Sequence, residues 1–182
     1  MDKLIGLCGS LRAGSLNRKL LHQAATLYGD CAFQEMSLDL PLYNGDVEAR
    51  GIPQTVLDLS AAIKDADAII IATPEYNKGI SGVLKNALDW ISRTQGGPFN
   101  DKPVALLTAA AGRTGGETAQ YHTRHCLTPL GADVIASPSP AICIAAAATE
   151  FNSDGILENQ RYIDNITTLM VKLSKRVQHV KS

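Results

Sequence analysis

The chain of 182 residues lacks the features that mark several classes of protein. Its formal net charge is −1, so it has neither the basic excess of a nucleic-acid-binding protein nor the basic stripe of a membrane-surface protein. No apolar run approaches the length that crosses a bilayer, and the N-terminus lacks the regions of a secretory leader. We therefore expect a cytoplasmic protein with no nucleic-acid or membrane partner. Its partner should be a small molecule or a second copy of the chain.

Metal and hydrolase sites also lack their usual residue patterns. The four cysteines include no CxxC pair, which argues against zinc and redox-dithiol sites and favours buried, reduced thiols. His122 and His125 lie close in sequence, but no third metal ligand is evident. No GxSxG motif follows a strand, so a Ser-His-Asp hydrolase is excluded.

What the chain does contain is alternating strand and helix patterns. Apolar residues make up 45% of the sequence, enough for the core of one domain spanning residues 1–182. Buried strands are predicted over residues 3–10, 31–36, 68–73, 103–109 and 133–137. Helices are predicted over 15–28, from Pro53 onward, over 79–93, over 115–130 and at the C-terminus. Residues 39–51 are predicted as a long loop, and residues 138–149 are left unassigned.

This alternation predicts an α/β fold, a three-layer sandwich with a central five-stranded parallel sheet. Such sheets bind ligands beyond the carboxyl ends of their strands, where the strand order switches direction. The loops after the first, third and fourth strands, at residues 9–17, 74–82 and 110–116, are therefore the candidate binding segments.

The first of these loops has the composition of a phosphate site. In the segment GSLRAGSLN, Ser10, Ser15 and Asn17 supply short polar side chains. The next helix points its free N–H groups and positive dipole end into the same space. Arg12 adds a guanidinium that matches phosphate oxygens. The loop therefore predicts binding of a phosphate dianion.

Two rival phosphate motifs fail in this loop. A dinucleotide fingerprint needs GxGxxG, and the spacing here is different. Gly9 and Gly14 have the spacing of a triphosphate P-loop, but Ser15 stands where that motif requires lysine. A structural alternative stays open, in which Ser15 only caps the helix and Arg12 is a solvated surface charge.

The other two loops suit a planar heterocycle. Pro74 forces an extended turn, and Asn77 tolerates unusual backbone angles. Tyr76 could form a wall beside a flat ring, whereas Glu75 could contact a nicotinamide cofactor, contact a neighbouring subunit or simply be solvated. Small residues in the loop 110–116 allow a flat ring to lie against the backbone.

At this point the sequence resembles the NAD(P)H-dependent FMN reductases, which include bacterial quinone and chromate reductases. The matching stretches are GSLRAGSLNRKL (9–20), TPEYNKGISGVLKNALDWISR (73–93) and GGETAQYH (115–122). The similarity runs to about residue 135. It implies a flavodoxin-like fold, non-covalently bound FMN, and NADPH or NADH as hydride donor.

The resemblance also assigns roles to individual residues. It places the FMN phosphate on Ser10, Arg12, Ser15, Leu16 and Asn17. It places the flavin ring on Pro74, Glu75, Tyr76, Asn77 and Gly112. No side chain is assigned a catalytic role, since the flavin itself carries the hydride. Lys78, Gly79 and Ser81 depart from the family pattern, so acceptor preference transfers less well than FMN binding.

The expected activity is NAD(P)H-dependent reduction of quinones, with chromate, azo compounds or free flavin as further acceptors. Two alternatives stay open: a flavodoxin-type electron carrier that does not oxidise NAD(P)H, and an inert flavin-binding subunit. Carriers are usually strongly acidic, and the net charge of −1 argues against one. We also expect a homodimer or homotetramer in which Leu84, Leu88, Trp90 and Ile91 of the helix 79–93 pack against a second copy.

Overall fold

The structure, a computed structural model, describes residues 1–136 and 141–182. Its strands are β1 (Asp2–Cys8), β2 (Cys31–Met36), β3 (Ala68–Thr73), β4 (Glu75–Tyr76), β5 (Gly79–Ile80), β6 (Pro103–Ala109), β7 (Asp133–Val134) and β8 (Cys143–Ile144). Its helices are α1 (Leu16–Tyr28), α2 (Gly45–Glu48), α3 (Gln54–Asp65), α4 (Gly82–Ile91), α5 (Glu117–Leu127) and α6 (Gln160–Lys181). Short 3-10 turns cover Thr128–Leu130 and Ala147–Thr149.

The central sheet is parallel, with strand order β2-β1-β3-β6-β7. This is the order of flavodoxin-like folds, so the predicted fold class is confirmed. The fifth position holds two short strands: β7 pairs with the start of β6, and β8 pairs with its end, where Thr108 lies opposite Cys143. Of the strand predicted over 133–137, the described residues contain only β7, at Asp133–Val134. The sequence predicts no strand at the position of β8. Residues 137–140 of the predicted segments lie outside the described residues.

Each face of the sheet packs against a helical layer. In β3, Ile70 packs towards α1 and α6, whereas Ile69 and Ile71 pack towards the opposite layer. Side chains alternate between the faces, so a strand covered on both sides needs an unbroken apolar run. The opposite layer includes Leu59 of α3 and Leu84 of α4. The sheet is thus buried on both faces, and its strand ends are left to form a site.

Local hydrogen bonding explains where the helices begin. The predicted helix over 79–93 begins only at Gly82, because Ser81 caps it by accepting a hydrogen bond from Leu84 N at 3.3 Å. The helix predicted from residue 115 begins at Glu117, because Gly115 and Gly116 have positive φ angles of 62° and 91°. The predicted loop over 39–51 contains the short helix α2, capped by Asn44.

The prediction that four apolar side chains of α4 pack against a second copy is wrong for these side chains, because they pack inside the chain. Leu84, Leu88, Trp90 and Ile91 are at most 3% exposed within the chain itself. The indole of Trp90 donates to Pro41 O at 2.7 Å, so this residue anchors the loop before α2. These side chains therefore leave no apolar surface for a second copy.

Two further expectations concern thiols and membranes. All four cysteines are free, but only Cys8 is buried, while the others are partly exposed. No helix within residues 1–136 or 141–182 combines the length and hydropathy that a membrane span requires.

Candidate functional site

A cleft of about 670 Å³ opens at the carboxyl ends of β1, β3 and β6. Its lining includes the predicted phosphate-site residues Ser10, Arg12, Ser15, Leu16 and Asn17, together with Pro74, Glu75 and Tyr76. Asn77 and Gly112 do not line it. The first and third βα loops therefore meet around one cavity, as the parallel-sheet topology requires.

The N-terminus of α1 presents unpaired donors to this cleft. Ser15 caps the helix, its Oγ accepting from Arg18 N at 3.3 Å, while Ser15 N donates to Arg12 O at 3.1 Å. Leu16 and Asn17 are the first helical residues, and their N–H groups have no acceptor among the described residues. These N–H groups and the helix dipole favour an anion. Ser15 thus caps the helix at the rim of the cleft.

Two further donors flank the same helix end. Ser10 is buried, and its hydroxyl has no hydrogen-bond partner among the described residues. The exposed guanidinium of Arg12 likewise forms no ion pair with a carboxylate of the described residues. Both groups are therefore free to bind a ligand oxygen.

Gly9 serves packing rather than ligand approach. A Cβ at this position would overlap the Thr73 hydroxyl and lie 2.8 Å from Thr73 Cβ and 2.9 Å from Ser81 Oγ. At Gly14, in contrast, a Cβ would have no heavy atom within 4 Å. Close packing against Thr73 and Ser81 therefore excludes a side chain at Gly9, whereas Gly14 has room for one.

Asn17 joins two of the predicted binding loops. Its Nδ2 donates to Ala109 O at 2.9 Å, and its Oδ1 accepts from Ala109 N at 2.9 Å. The side chain, 4% exposed, thus closes a pair of hydrogen bonds with the end of β6. Its amide is committed to Ala109, which leaves the main-chain N–H of Asn17 as the group available for a phosphate.

A small hairpin carries the predicted ring-binding residues. β4 and β5 pair antiparallel around Asn77 and Lys78, whose φ angles are 49° and 60°. Positive φ at both loop residues is the requirement of a type I′ turn. The expectation that Asn77 tolerates unusual backbone angles is confirmed. The hairpin holds Tyr76, 54% exposed, at the cleft, while Asn77 lies at the tip.

Glu75 links this hairpin to α5. Its Oε2 accepts from Ala119 N at 3.1 Å in the first turn of α5, and its Oε1 lies 3.3 Å from Lys78 Nζ. Burial acts to raise the pKa of the Glu75 carboxyl, but the Ala119 hydrogen bond and Lys78 outweigh it and lower that pKa. Glu75 is therefore an ionised cap of α5, rather than the solvated carboxylate that the sequence left open.

The remaining wall of the cleft comes from parts of the chain that no motif indicated. The predicted small residues Ala110 and Ala111 face Ala147, Ala148, Phe151 and Asn152 around the cavity. Ala147 N donates to Ala110 O at 3.1 Å, and Ala146 N donates to Gly112 O at 3.3 Å. Gly112 thus holds two loops together instead of lining the cavity. The alanine-rich run 145–148 was the only sequence signal for this wall.

The arrangement fits FMN. Free N–H groups, the Ser10 hydroxyl and Arg12 suit a phosphate at one end of the cleft. Tyr76 and the alanines of the loop after β6 enclose a space suited to a flat ring. Contact between FMN and each of the residues assigned above stays a prediction.

Comparison with known proteins points the same way. Residues 3–147 match the family described as NADPH-dependent FMN reductase. The chain is 44% identical over 157 residues to an NAD(P)H-dependent FMN reductase of Pseudomonas aeruginosa, covering 85% of this chain and 84% of that one. It is 34% identical over 183 residues to the quinone reductase of Escherichia coli K12, covering 98% and 97%. The solved structure of FerB, a flavoenzyme NAD(P)H:(acceptor) oxidoreductase of Paracoccus denitrificans, superposes with a TM-score of 0.86 at 29% identity, covering 98% of each chain.

Proposed function

Because the chain belongs to the NADPH-dependent FMN reductase family, we propose that it is an FMN-containing oxidoreductase that uses NADPH or NADH to reduce quinones. The observation that carries this proposal is the cleft itself. It joins a donor-rich helix N-terminus to a space lined by Tyr76 and small apolar residues. A phosphate at one end and a flat ring at the other match the two halves of FMN.

The chain's own residues would divide the work by position. Ser10, Arg12 and the N–H groups of Leu16 and Asn17 would hold the phosphate. The hairpin with Tyr76 would flank the flavin ring, and Ala110 and Ala111 leave room for a flat substrate beside it. Bound FMN supplies hydride transfer between the nicotinamide and the acceptor, a two-electron reaction that suits quinones. The protein contributes binding, orientation and exclusion of water.

The alternative of a flavodoxin-type carrier receives no support. The relatives that cover nearly the whole chain carry the names of reductases that use NAD(P)H or reduce quinones. The formal net charge of −1 also differs from the strongly acidic charge that such carriers usually have. Enzyme activity is therefore the stronger proposal.

Finer properties extend the same proposal. Chromate, azo compounds and free flavin are proposed as further acceptors, since a space for a flat ring beside the flavin places few limits on the acceptor. We also propose one domain over residues 1–182, a cytoplasmic location, and assembly as a homodimer or homotetramer. The subunit contact would use a surface other than the buried face of α4.

The direct test of the site is the substitution Arg12→Ala, with FMN and riboflavin as paired ligands. Riboflavin lacks the phosphate, so losing a phosphate contact should weaken FMN binding by roughly tenfold or more and leave riboflavin nearly unchanged. Arg50→Ala is the matched control, because Arg50 is also exposed but lies outside the three candidate binding loops and does not line the cleft. Equal weakening of both ligands by Arg12→Ala would remove Arg12 from the phosphate site.

A further inference from the structure

Arg18 reaches back from α1 to the predicted phosphate loop, although it does not line the cleft. Its Nη1 donates to Arg12 O at 3.0 Å, and its Nη2 donates to Ser10 O at 3.3 Å. Its Nε donates to Glu35 Oε1 at 2.8 Å. One guanidinium therefore ties two main-chain carbonyls of the loop to the sheet strand β2.

Glu35 is itself held in place by a second partner. Its Oε2 lies 2.6 Å from His22 Nε2, one turn along α1 from Arg18. The Glu35 side chain is only 21% exposed. Burial acts to raise its pKa, but the hydrogen bonds from Arg18 and His22 outweigh burial and lower the pKa of this carboxyl. Glu35 is thus an ionised anchor for the Arg18 fork.

These bonds constrain the direction of the loop's N–H groups. In a planar trans peptide the N–H of the next residue points away from the carbonyl. Fixing the carbonyls of Ser10 and Arg12 towards Arg18 therefore turns the N–H groups of Leu11 and Ala13 to the other side of the loop. A guanidinium suits this task because its donors form a rigid planar fork, whereas a lysine presents one compact charge on a flexible stem.

We propose that Arg18, anchored by Glu35, is a positioning residue that holds the phosphate loop in its FMN-binding conformation without contacting the phosphate. The inference rests on the proposed function, since it requires that FMN binds in this cleft. Arg18 lies within the matching stretch 9–20, but no motif connects it with Glu35 on β2.

The test measures FMN and riboflavin affinities of Arg18→Gln and Glu35→Gln proteins by flavin fluorescence quenching. Arg18→Gln should weaken FMN about tenfold and riboflavin less than about twofold. Glu35→Gln should also weaken FMN, by a smaller factor, and should have little further effect in an Arg18→Gln background. Arg18→Lys should recover only part of the loss. Arg176→Gln breaks a comparable ion pair with Asp133 at the opposite end of the molecule and should change neither affinity.

The sign of the Glu35→Gln effect separates positioning from direct binding. If Arg18 bound the phosphate as a simple cation, removing the negative charge of Glu35 would tighten FMN binding. Tighter or unchanged FMN binding in Glu35→Gln overturns the proposal, as does equal weakening of riboflavin. Failure of the unsubstituted protein to bind FMN would instead contradict the proposed function. If Arg18→Gln does not fold, Glu35→Gln and Arg18→Lys still decide the question.

Discussion

Replacing Asn17 by alanine tests the link between the phosphate loop and the end of β6. The substitution removes both hydrogen bonds that the Asn17 amide makes with Ala109, each 2.9 Å long. Ala109 is 3% exposed, so its N–H and C=O would be left without partners in a buried position. An unsatisfied buried polar group costs about 1–3 kcal/mol, so the expected loss is about 2–4 kcal/mol in the free energy of unfolding.

Urea unfolding of the FMN-free protein, followed by tryptophan fluorescence, measures this loss. Trp90 is the single tryptophan and is fully buried, so its emission reports unfolding directly. The same variant should bind FMN more weakly, because the loop after β1 and the loop after β6 are no longer joined at the cleft.

Asn44→Ala is the matched control for the Asn17 prediction. Asn44 caps α2 by accepting from Asp46 N and does not line the cleft, so its loss should cost about 1 kcal/mol without changing FMN affinity. The reasoning about Asn17 fails if Asn17→Ala loses less than about 0.5 kcal/mol and binds FMN normally. In that case the two hydrogen bonds with Ala109 would not hold the loops together.

Three further predictions concern backbone packing, helix capping and acid stability. Gly9→Ala should lower the free energy of unfolding by about 1–3 kcal/mol, because its Cβ would overlap Thr73. Gly14→Ala has open space around the new Cβ and should be neutral or slightly stabilising in urea unfolding. Equal effects of the two substitutions would contradict the packing role of Gly9. Glu75→Ala should lower the free energy of unfolding by about 1 kcal/mol, because it removes the cap of α5. Glu75→Gln should cost less, because it keeps an acceptor for Ala119 N. A larger loss in Glu75→Gln than in Glu75→Ala would contradict the capping role. Lys181 pairs with Asp2 and Asp67, and the pKa of each carboxyl lies below its ordinary value of 3.8. The pKa of Asp2 is lowered mainly by its hydrogen bond from Tyr28 and next by Lys181. Burial acts to raise the pKa of Asp67, but the hydrogen bonds from Lys181 and from Lys3 N outweigh burial and lower it. The stability that these two carboxylates contribute is present above pH 3.8 and is lost as the pH falls through their lowered pKa values. Lys181→Met should therefore be less stable than the unsubstituted protein at neutral pH, and the two proteins should become equally stable in acid. A difference in stability that does not change with pH would contradict the role of the ion pairs.

The fold was predictable because its central strands carry their own signal. Residues 68–73 and 103–109 are continuously apolar, and the observed β3 and β6 have the same bounds. Buried parallel strands need apolar side chains on both faces, which makes them visible without a partner. The two-residue strand β8 carries no such signal, since it exists only through its pairing with β6.

The site was only partly predictable, because part of its lining and of its hydrogen bonding comes from residues that are distant in sequence. The phosphate loop is contiguous in sequence, so its donors could be recognised together. Phe151 joins the same cleft from a distant segment, and Asn17 turns its amide to a residue 92 positions away. The hairpin was hidden because Asn77 is followed by Lys78, whereas glycine is the usual residue there.

Oxidation of NAD(P)H through bound FMN is the activity on which the proposed function depends. Anaerobic stopped-flow absorbance tests this activity. The FMN-loaded protein is mixed with NADPH in one run and with NADH in another. We expect that at least one nucleotide bleaches the flavin absorbance within seconds and that a quinone then restores it. If neither nucleotide bleaches the flavin while dithionite does, the protein binds FMN without accepting hydride, and the reductase assignment is wrong.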